Sequence, residues 1–426
     1  MKNKIKNILT NKLFKDSFVY VIADVINKGI PFLLLPVLTH YLTPEDYGIL
    51  ATFNSLVAVL AIFIGLSIQG AVSVNYYKYS KSELANYIGN VLYILFSTFL
   101  LSIFFITLFN HYLQDKLGLE YIWMIAATGL ALSLFLVLIN LSLWLVEQKP
   151  KLYGSYQIFE TALKLGLSLL FIIVFSMTWK GRVLGMLIGG GVSAFLSLII
   201  LYRRGYLHFA YNKKYIKDAL HFGVPLVPHS LSFWLRSGAV IFILSYLVGK
   251  KNTGLYNVGN MMVIPLSVLT VAFNKAWAPY LYRKLSKNIS ILEKKKIVKF
   301  TYMYNIAVLL LAYVLYLIAP FIIEWFLDPK FKDSSIYIKY LSFALAFQGM
   351  YFMVVNFIFY EKKTKYLAYI TFITSVVNVI LAYVLIKKNG AIGAAQAFLF
   401  TSILNYILVW FYSNKVYRMP WKNIFS

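Results

Sequence analysis

The sequence predicts an all-α integral membrane protein. About twelve transmembrane helices form two six-helix bundles, related by a pseudo-two-fold axis along the membrane normal. Three observations predict this. Of 426 residues 60% are hydrophobic and only 13% charged, with a mean hydropathy of +0.72; soluble domains carry about a quarter charged residues. Apolar blocks recur from end to end, each near the roughly 20 residues that span a bilayer core. A short motif also returns half a chain later.

The blocks fall at 17–39, 48–70, 87–110, 121–146, 153–178, 183–202, 221–248, 254–280, 300–327, 335–360, 366–386 and 391–413. Polar or basic breaks separate them. Lys78 and Lys81 follow the second block, and Gln114 to Lys116 follow the third. Glu147 to Lys151 close the fourth, and Lys180 to Arg182 divide the fifth from the sixth. Two basic stretches, 203–220 and 281–299, flank the seventh and eighth. Lys330 and Lys332, then Lys362 and Lys363, then Lys387 and Lys388 mark the remaining breaks. Every loop is short, so no extramembrane catalytic domain fits.

Basic residues orient the chain. With the N-terminus inside, 27 of the 41 Lys and Arg fall on the cytoplasmic side, nine on the other side and five within spans. This is a positive-inside bias that places both termini in the cytoplasm. Residues 1–16 carry Lys2, Lys4, Lys6, Lys12 and Lys15, with Ile5, Ile8, Leu9 and Leu13 between them. They read as a basic amphipathic arm at the interface. A cleaved signal peptide fits poorly, because the next block holds Asp24 and Lys28 and lacks a small-x-small site. The net charge of +26 sits in short loops, where it meets anionic headgroups rather than nucleic acid.

The repeat is LTHYLTPEDYG at 38–48 and LSYLVGKKNTG at 244–254, offset by 206 residues. Each segment closes a span, crosses a tight loop and opens the next span at glycine. Six is even, so both halves start on the same side, as parallel repeats do. The expected division is the arm at 1–16, a bundle at 17–205, a cytoplasmic linker at 206–220, a second bundle at 221–413 and a tail at 414–426. Proline falls at Pro31 and Pro36 in the first span, Pro225 and Pro228 in the seventh, Pro265 and Pro279 in the eighth, and Pro320 in the ninth. The first helix of each half is therefore broken or kinked. Membrane helices also tolerate proline without functional reason.

Polar residues form stripes on single helix faces. The first span carries Tyr20, Asp24, Asn27, Lys28 and Pro31; the fifth carries Tyr153, Gln157, Glu160, Lys164 and Ser168. The seventh carries Pro225, His229, Ser232 and Arg236; the eighth carries Asn257, Asn260, Ser267 and Asn274, with Lys275 beside them. Spans eleven and twelve add Thr371, Thr374, Ser375, Asn378, Gln396 and Asn405. A cation at a helix centre costs roughly 2.5–3.5 kcal/mol to insert, so these faces meet protein or water.

Asp24 with Lys28, and Glu160 with Lys164, are spaced i,i+4 and could be self-neutralised pairs that join helices. Arg236 and Lys275 have no acid on their own helices. Four cations against two carboxylates leave two positive charges in excess, which suits an anionic cargo. Lys28, Lys164, Arg236 and Lys275 are the substrate-binding candidates. Lys275 could instead snorkel to the interface. Asp24 and Glu160 could carry a coupling proton or sodium ion. Tyr20, Trp234, Tyr256 and Trp277 could stack on sugars or pack against lipid and core. The Gly185 to Gly191 run reads as close helix packing. With no cysteine and no metal, nucleotide or hydrolase motif, nothing calls for a catalytic residue, a metal or a cofactor.

NKGIP at 27–31, LTPEDYG at 42–48, HFGVP at 221–225 and VGKKNTGLY at 248–256 resemble polysaccharide repeat-unit flippases of the Wzx type. These belong to the multidrug/oligosaccharidyl-lipid/polysaccharide exporter superfamily. The resemblance implies two six-helix bundles around a V-shaped cavity in the bacterial inner membrane. It implies alternating-access transport of an undecaprenyl-pyrophosphate-linked oligosaccharide, with cavity cations holding pyrophosphate or acidic sugars. It carries to Lys28, Lys164, Arg236 and Lys275. Membrane lipids and a polysaccharide polymerase are the implied partners. A small-molecule exporter of the same fold is the alternative. A membrane-bound polymerase or ligase would need a sizeable outer loop, which this chain lacks.

Overall fold

The computed structural model describes residues 26–27, 29–287 and 289–422, and every regular element among them is helical. The arm at 1–16 lies outside the described residues, as do Tyr20, Asp24 and Lys28. The helices run α1 (Leu35–Tyr41), α2 (Pro44–Gly65), α3 (Gln69–Asn75), α4 (Lys81–Leu108), α5 (Asn110–Leu117), α6 (Tyr121–Val146), α7 (Pro150–Leu169) and α8 (Thr178–Arg203). They continue with α9 (Lys213–Gly223), α10 (Val227–Met262), α11 (Ile264–Leu285), α12 (Ile291–Phe326), α13 (Ser335–Tyr360), α14 (Thr364–Asn389) and α15 (Ile392–Val416).

Among the described residues, ten helical runs are long and apolar enough to cross a membrane. One of them, Lys213–Met262, has 50 residues and holds the seventh expected span and the start of the eighth. It turns at Gly249, whose φ of 80° is a conformation that glycine adopts without a Cβ clash. The eighth span continues into α11, whose Asn274, Lys275, Arg283 and Lys284 make it too polar to stand among the ten. With the first block, this gives the predicted count of about twelve.

Backbone contacts divide the chain into two compact units. One holds 1–42 and 49–234, the other 43–48 and 235–426. Proline sets several helix starts. Pro36 begins α1 after a turn at Leu34, Pro265 begins α11 after Val263, and Pro225 lies in the 3₁₀ turn Val224–Leu226 ahead of α10. Proline suits the first helical turn because its missing N–H has no partner there anyway. Pro279 and Pro320 sit inside helices.

In the first unit, small residues bring α7 and α8 together. A Cβ at Gly185 would overlap Ser168, and one at Gly189 would overlap the backbone of Lys164. Tyr156 donates to Ser193 O and shares a 2.8 Å hydrogen bond with Ser197. Close backbones and interhelical hydrogen bonds are what hold helices together in lipid, where apolar burial gives no drive.

The 206–212 stretch is tied to the start of α4. Asn90 donates to Ala210 O at 2.8 Å and accepts from Asn212 N–H at 2.8 Å. Asp218 of α9 accepts from Asn75 at 3.0 Å and from Tyr87 at 2.8 Å. Glu147 holds Arg204, Lys149 and Tyr206 together at the ends of α6 and α8. Burial and that carboxylate push the Tyr206 phenol up to about 12.

In the second unit, the two repeat segments meet. A Cβ at Gly48 would overlap the carbonyl of Lys250, and one at Gly254 would overlap that of Pro44. Asp46 accepts from the Thr43 N–H and hydroxyl, both at 2.8 Å, and its own N–H donates to Thr43 Oγ1. This is the reciprocal bonding of a capping box. Tyr47 meets Phe331 edge to face at 5.2 Å.

Candidate functional site

Arg236 lies on α10, one helical turn beyond Ser232. The rest of its neighbourhood comes from α14, α15 and Tyr351 of α13. Its Nη2 donates to Ser402 Oγ at 2.9 Å, and its guanidinium lies 5.3 Å from the Phe398 ring centre. Its backbone carbonyl accepts from Asn378 at 3.0 Å, and Asn378 accepts in turn from Thr401 at 2.8 Å. Thr374 donates to Asn405 one step along the same interface. Asn378, Thr401, Ser402 and Asn405 are all buried.

These partners are neutral. Among the described residues the Arg236 guanidinium forms no ion pair. A guanidinium carries five N–H donors in a rigid fork, and one is committed to Ser402. The remaining donors suit a carboxylate or phosphate, which arginine grips bidentately.

The first unit holds the other cluster. Lys164 and Glu160 form an ion pair on α7, with side chains 17% and 13% exposed. Thr161 donates to Asn27, and Gln157 to the Tyr153 hydroxyl at 3.2 Å. Gly189 and Gly190 of α8 leave room for the Lys164 side chain. The charge of Lys164 is thus met within its own helix, while that of Arg236 is not.

Lys275 is exposed on α11. Its neighbour Asn274 accepts from Asn356 at 2.8 Å. Lys28 and Asp24 lie outside the described residues. Gln396 accepts from Asn389 at 2.6 Å, at the start of α15, away from Arg236. Trp234 donates to Ser55 O at 3.0 Å, and Tyr256 packs on Tyr337. Among the described residues no group of three His, Asp or Glu gathers as metal ligands would.

Ser402 and Phe398 are absent from the predicted set, although both share a helix face with Asn405 at i−3 and i−7. A serine and a phenylalanine in an apolar helix carry little signal alone. Glu147 and Arg204 read in the sequence as loop charges, and the structure makes them a partly buried tie.

The profile of the Polysaccharide biosynthesis protein family matches residues 13–284, and the MatE profile matches 225–384. A Haemophilus influenzae protein of the Lsg locus is 27% identical over 380 residues, 86% of this chain and 90% of that protein. The Staphylococcus aureus capsular polysaccharide biosynthesis protein CapF is 23% identical over 411 residues, 93% of this chain and 98% of that one. The fold is similar to an inward-facing multidrug resistance MATE family transporter of the MOP superfamily, with a TM-score of 0.68, 14% identity and 93% coverage of both chains.

Proposed function

Because the chain belongs to the polysaccharide biosynthesis protein family, we propose that it is a flippase for lipid-linked oligosaccharide. The cargo is an undecaprenyl-pyrophosphate-linked repeat unit, moved across the bacterial inner membrane by alternating access. The observation that carries the reading is Arg236. A cation kept inside an apolar helix, with only neutral partners among the described residues, costs insertion energy that binding an anion repays. A pyrophosphate is such an anion, and so is an acidic sugar. Lys28 and Lys275 are the other proposed substrate-binding cations, both termini are cytoplasmic, and the protein performs no covalent chemistry.

Lys164 is the weaker member of the set, since Glu160 already holds it. A double-mutant cycle separates its two roles. Leaving one partner of a buried pair alone costs about 3–5 kcal/mol. Glu160→Gln and Lys164→Met should each lower thermal stability, and the double variant should recover most of the loss. If the double variant also recovers transport, Lys164 is a structural partner. If stability returns and transport does not, Lys164 belongs to the binding set and Glu160 stays a coupling candidate for a proton or sodium ion.

The experiment that tests the function is deletion in the native host. The reading expects loss of surface glycan and accumulation of its lipid-linked precursor on the cytoplasmic side. The MatE match over 225–384 favours a second reading, a small-molecule exporter. Intact surface glycan with altered drug sensitivity would select it.

A further inference from the structure

A second group of polar and aromatic residues gathers along α11 and α12. Phe273 and Tyr304 stack with centroids 4.4 Å apart and planes 25° apart. Trp277 continues the stack, 5.0 Å from Phe300 at 27°, and touches Tyr280 at 5.4 Å. Beyond these rings opens a cleft between the end of α11 and the start of α12, with a volume of about 350 Å³. Trp277, Tyr280 and Phe300 form its floor, and Lys284, Lys296 and Glu293 form its rim.

An interfacial aromatic belt turns its rings outward to headgroups. Trp277 does the reverse. It is only 7% exposed, yet its indole N–H finds no acceptor among the described residues. On the rim, Lys284 pairs with Glu293 at 3.0 Å, with side chains 39% and 41% exposed. Such a half-exposed pair is screened by water and weak, so a ligand can open it.

The combination is selective. Aromatic faces take the C–H face of a sugar ring, the two ammonium groups take a phosphate, and the carboxylate accepts from hydroxyls. A bare anion would gain the lysines but meet Glu293. A neutral sugar would leave the lysines unused. The volume falls in the range of small-ligand sites, roughly 300–1,000 Å³.

We infer that the cleft between α11 and α12 binds a glycosyl phosphate, the saccharide and phosphate at the reducing end of the lipid-linked cargo. The inference rests on the flippase reading for the source of that group, and on the charge bias for placing the cleft at the cytoplasmic face. It makes the cleft a docking site distinct from Arg236, where cargo is recognised before it enters the bundle.

The test uses the full chain in nanodiscs of zwitterionic phosphatidylcholine. Saturation-transfer NMR and calorimetry would follow glucose 1-phosphate and N-acetylglucosamine 1-phosphate. Glycerol 1-phosphate stands for a phospholipid headgroup, and inorganic phosphate and free glucose are the remaining probes. The glycosyl phosphates should bind at least tenfold more tightly than the other three, with saturation transferred to ring protons. Trp277→Ala, and Lys284→Ala with Lys296→Ala, should each weaken that binding tenfold or more. Trp277→Phe should retain it, which separates a lost aromatic face from a lost fold. Equal affinity for glycerol 1-phosphate would make this a headgroup site and overturn the inference. So would undiminished binding in a folded Trp277→Ala protein, or no binding of either glycosyl phosphate. Failure here would leave the deletion phenotype intact, so the two proposals fall separately.

Discussion

Arg236→Ala lowers glycan export about 10- to 100-fold while leaving the protein at least as stable as before. The two halves of this expectation have one cause. Hydrogen bonds to a charged group contribute about 1.5–3 kcal/mol, and each 1.4 kcal/mol is about a factor of ten. The same guanidinium has no acidic partner among the described residues, so its removal strands no carboxylate among them. Ser402 loses one donor, and the span loses an insertion penalty of roughly 2.5–3.5 kcal/mol. A residue that lowers stability and raises function is one retained for function. Arg236→Lys keeps the charge and loses the fork, and should fall between the two. Surface glycan measured at matched protein levels, with thermal unfolding of the purified protein, checks both halves. A structural arginine would show the opposite pattern, lower stability with export falling only as protein level falls.

Gly254→Val and Gly48→Val should unfold or misassemble the second unit. At each position the added carbon meets main chain rather than a movable side chain, the carbonyl of Pro44 for Gly254 and of Lys250 for Gly48. Overpacking that side chains can absorb costs about 1–3 kcal/mol, and backbone against backbone exceeds that because a helix must shift. Even alanine should lower the unfolding temperature. Gly166→Ala is the control. Nothing lies within 4 Å of a Cβ there, and alanine in a helix interior gains up to about 1 kcal/mol over glycine. Thermal unfolding in detergent would read all three. Unchanged unfolding in both valine variants would mean that the repeat segments do not touch.

The span pattern was readable because hydrophobic length leaves little choice in a bilayer. The break at Gly249 was readable from the repeat, since glycine and lysines interrupt an apolar run at 249–251. What the repeat could not disclose is that Gly48 and Gly254 face each other, because a glycine shows that backbone comes close without saying which backbone. The stripe on spans eleven and twelve was likewise visible as polarity. That Asn378 and Thr401 converge on Arg236 depends on helix rotation, which sequence periodicity leaves open. Lys164 and Glu160 illustrate the limit from the other side. Their i,i+4 spacing allowed a pair or two separate roles, and the structure forms the pair. The Trp277 cleft was hidden because α11 and α12 contribute their halves from either side of a loop at 286–290.

The central claim is that this chain moves a lipid-linked glycan from one leaflet to the other, with Arg236 holding its anionic group. The most direct measurement reconstitutes the purified protein in liposomes bearing a fluorescent polyprenyl-pyrophosphate oligosaccharide in both leaflets. A membrane-impermeant quencher then reports the outer leaflet. The account predicts that wild type exposes nearly the whole lipid pool over time, while Arg236→Ala stays close to the outer half that protein-free vesicles show. Quenching limited to the outer half with wild type as well, in vesicles that contain folded protein, would contradict it.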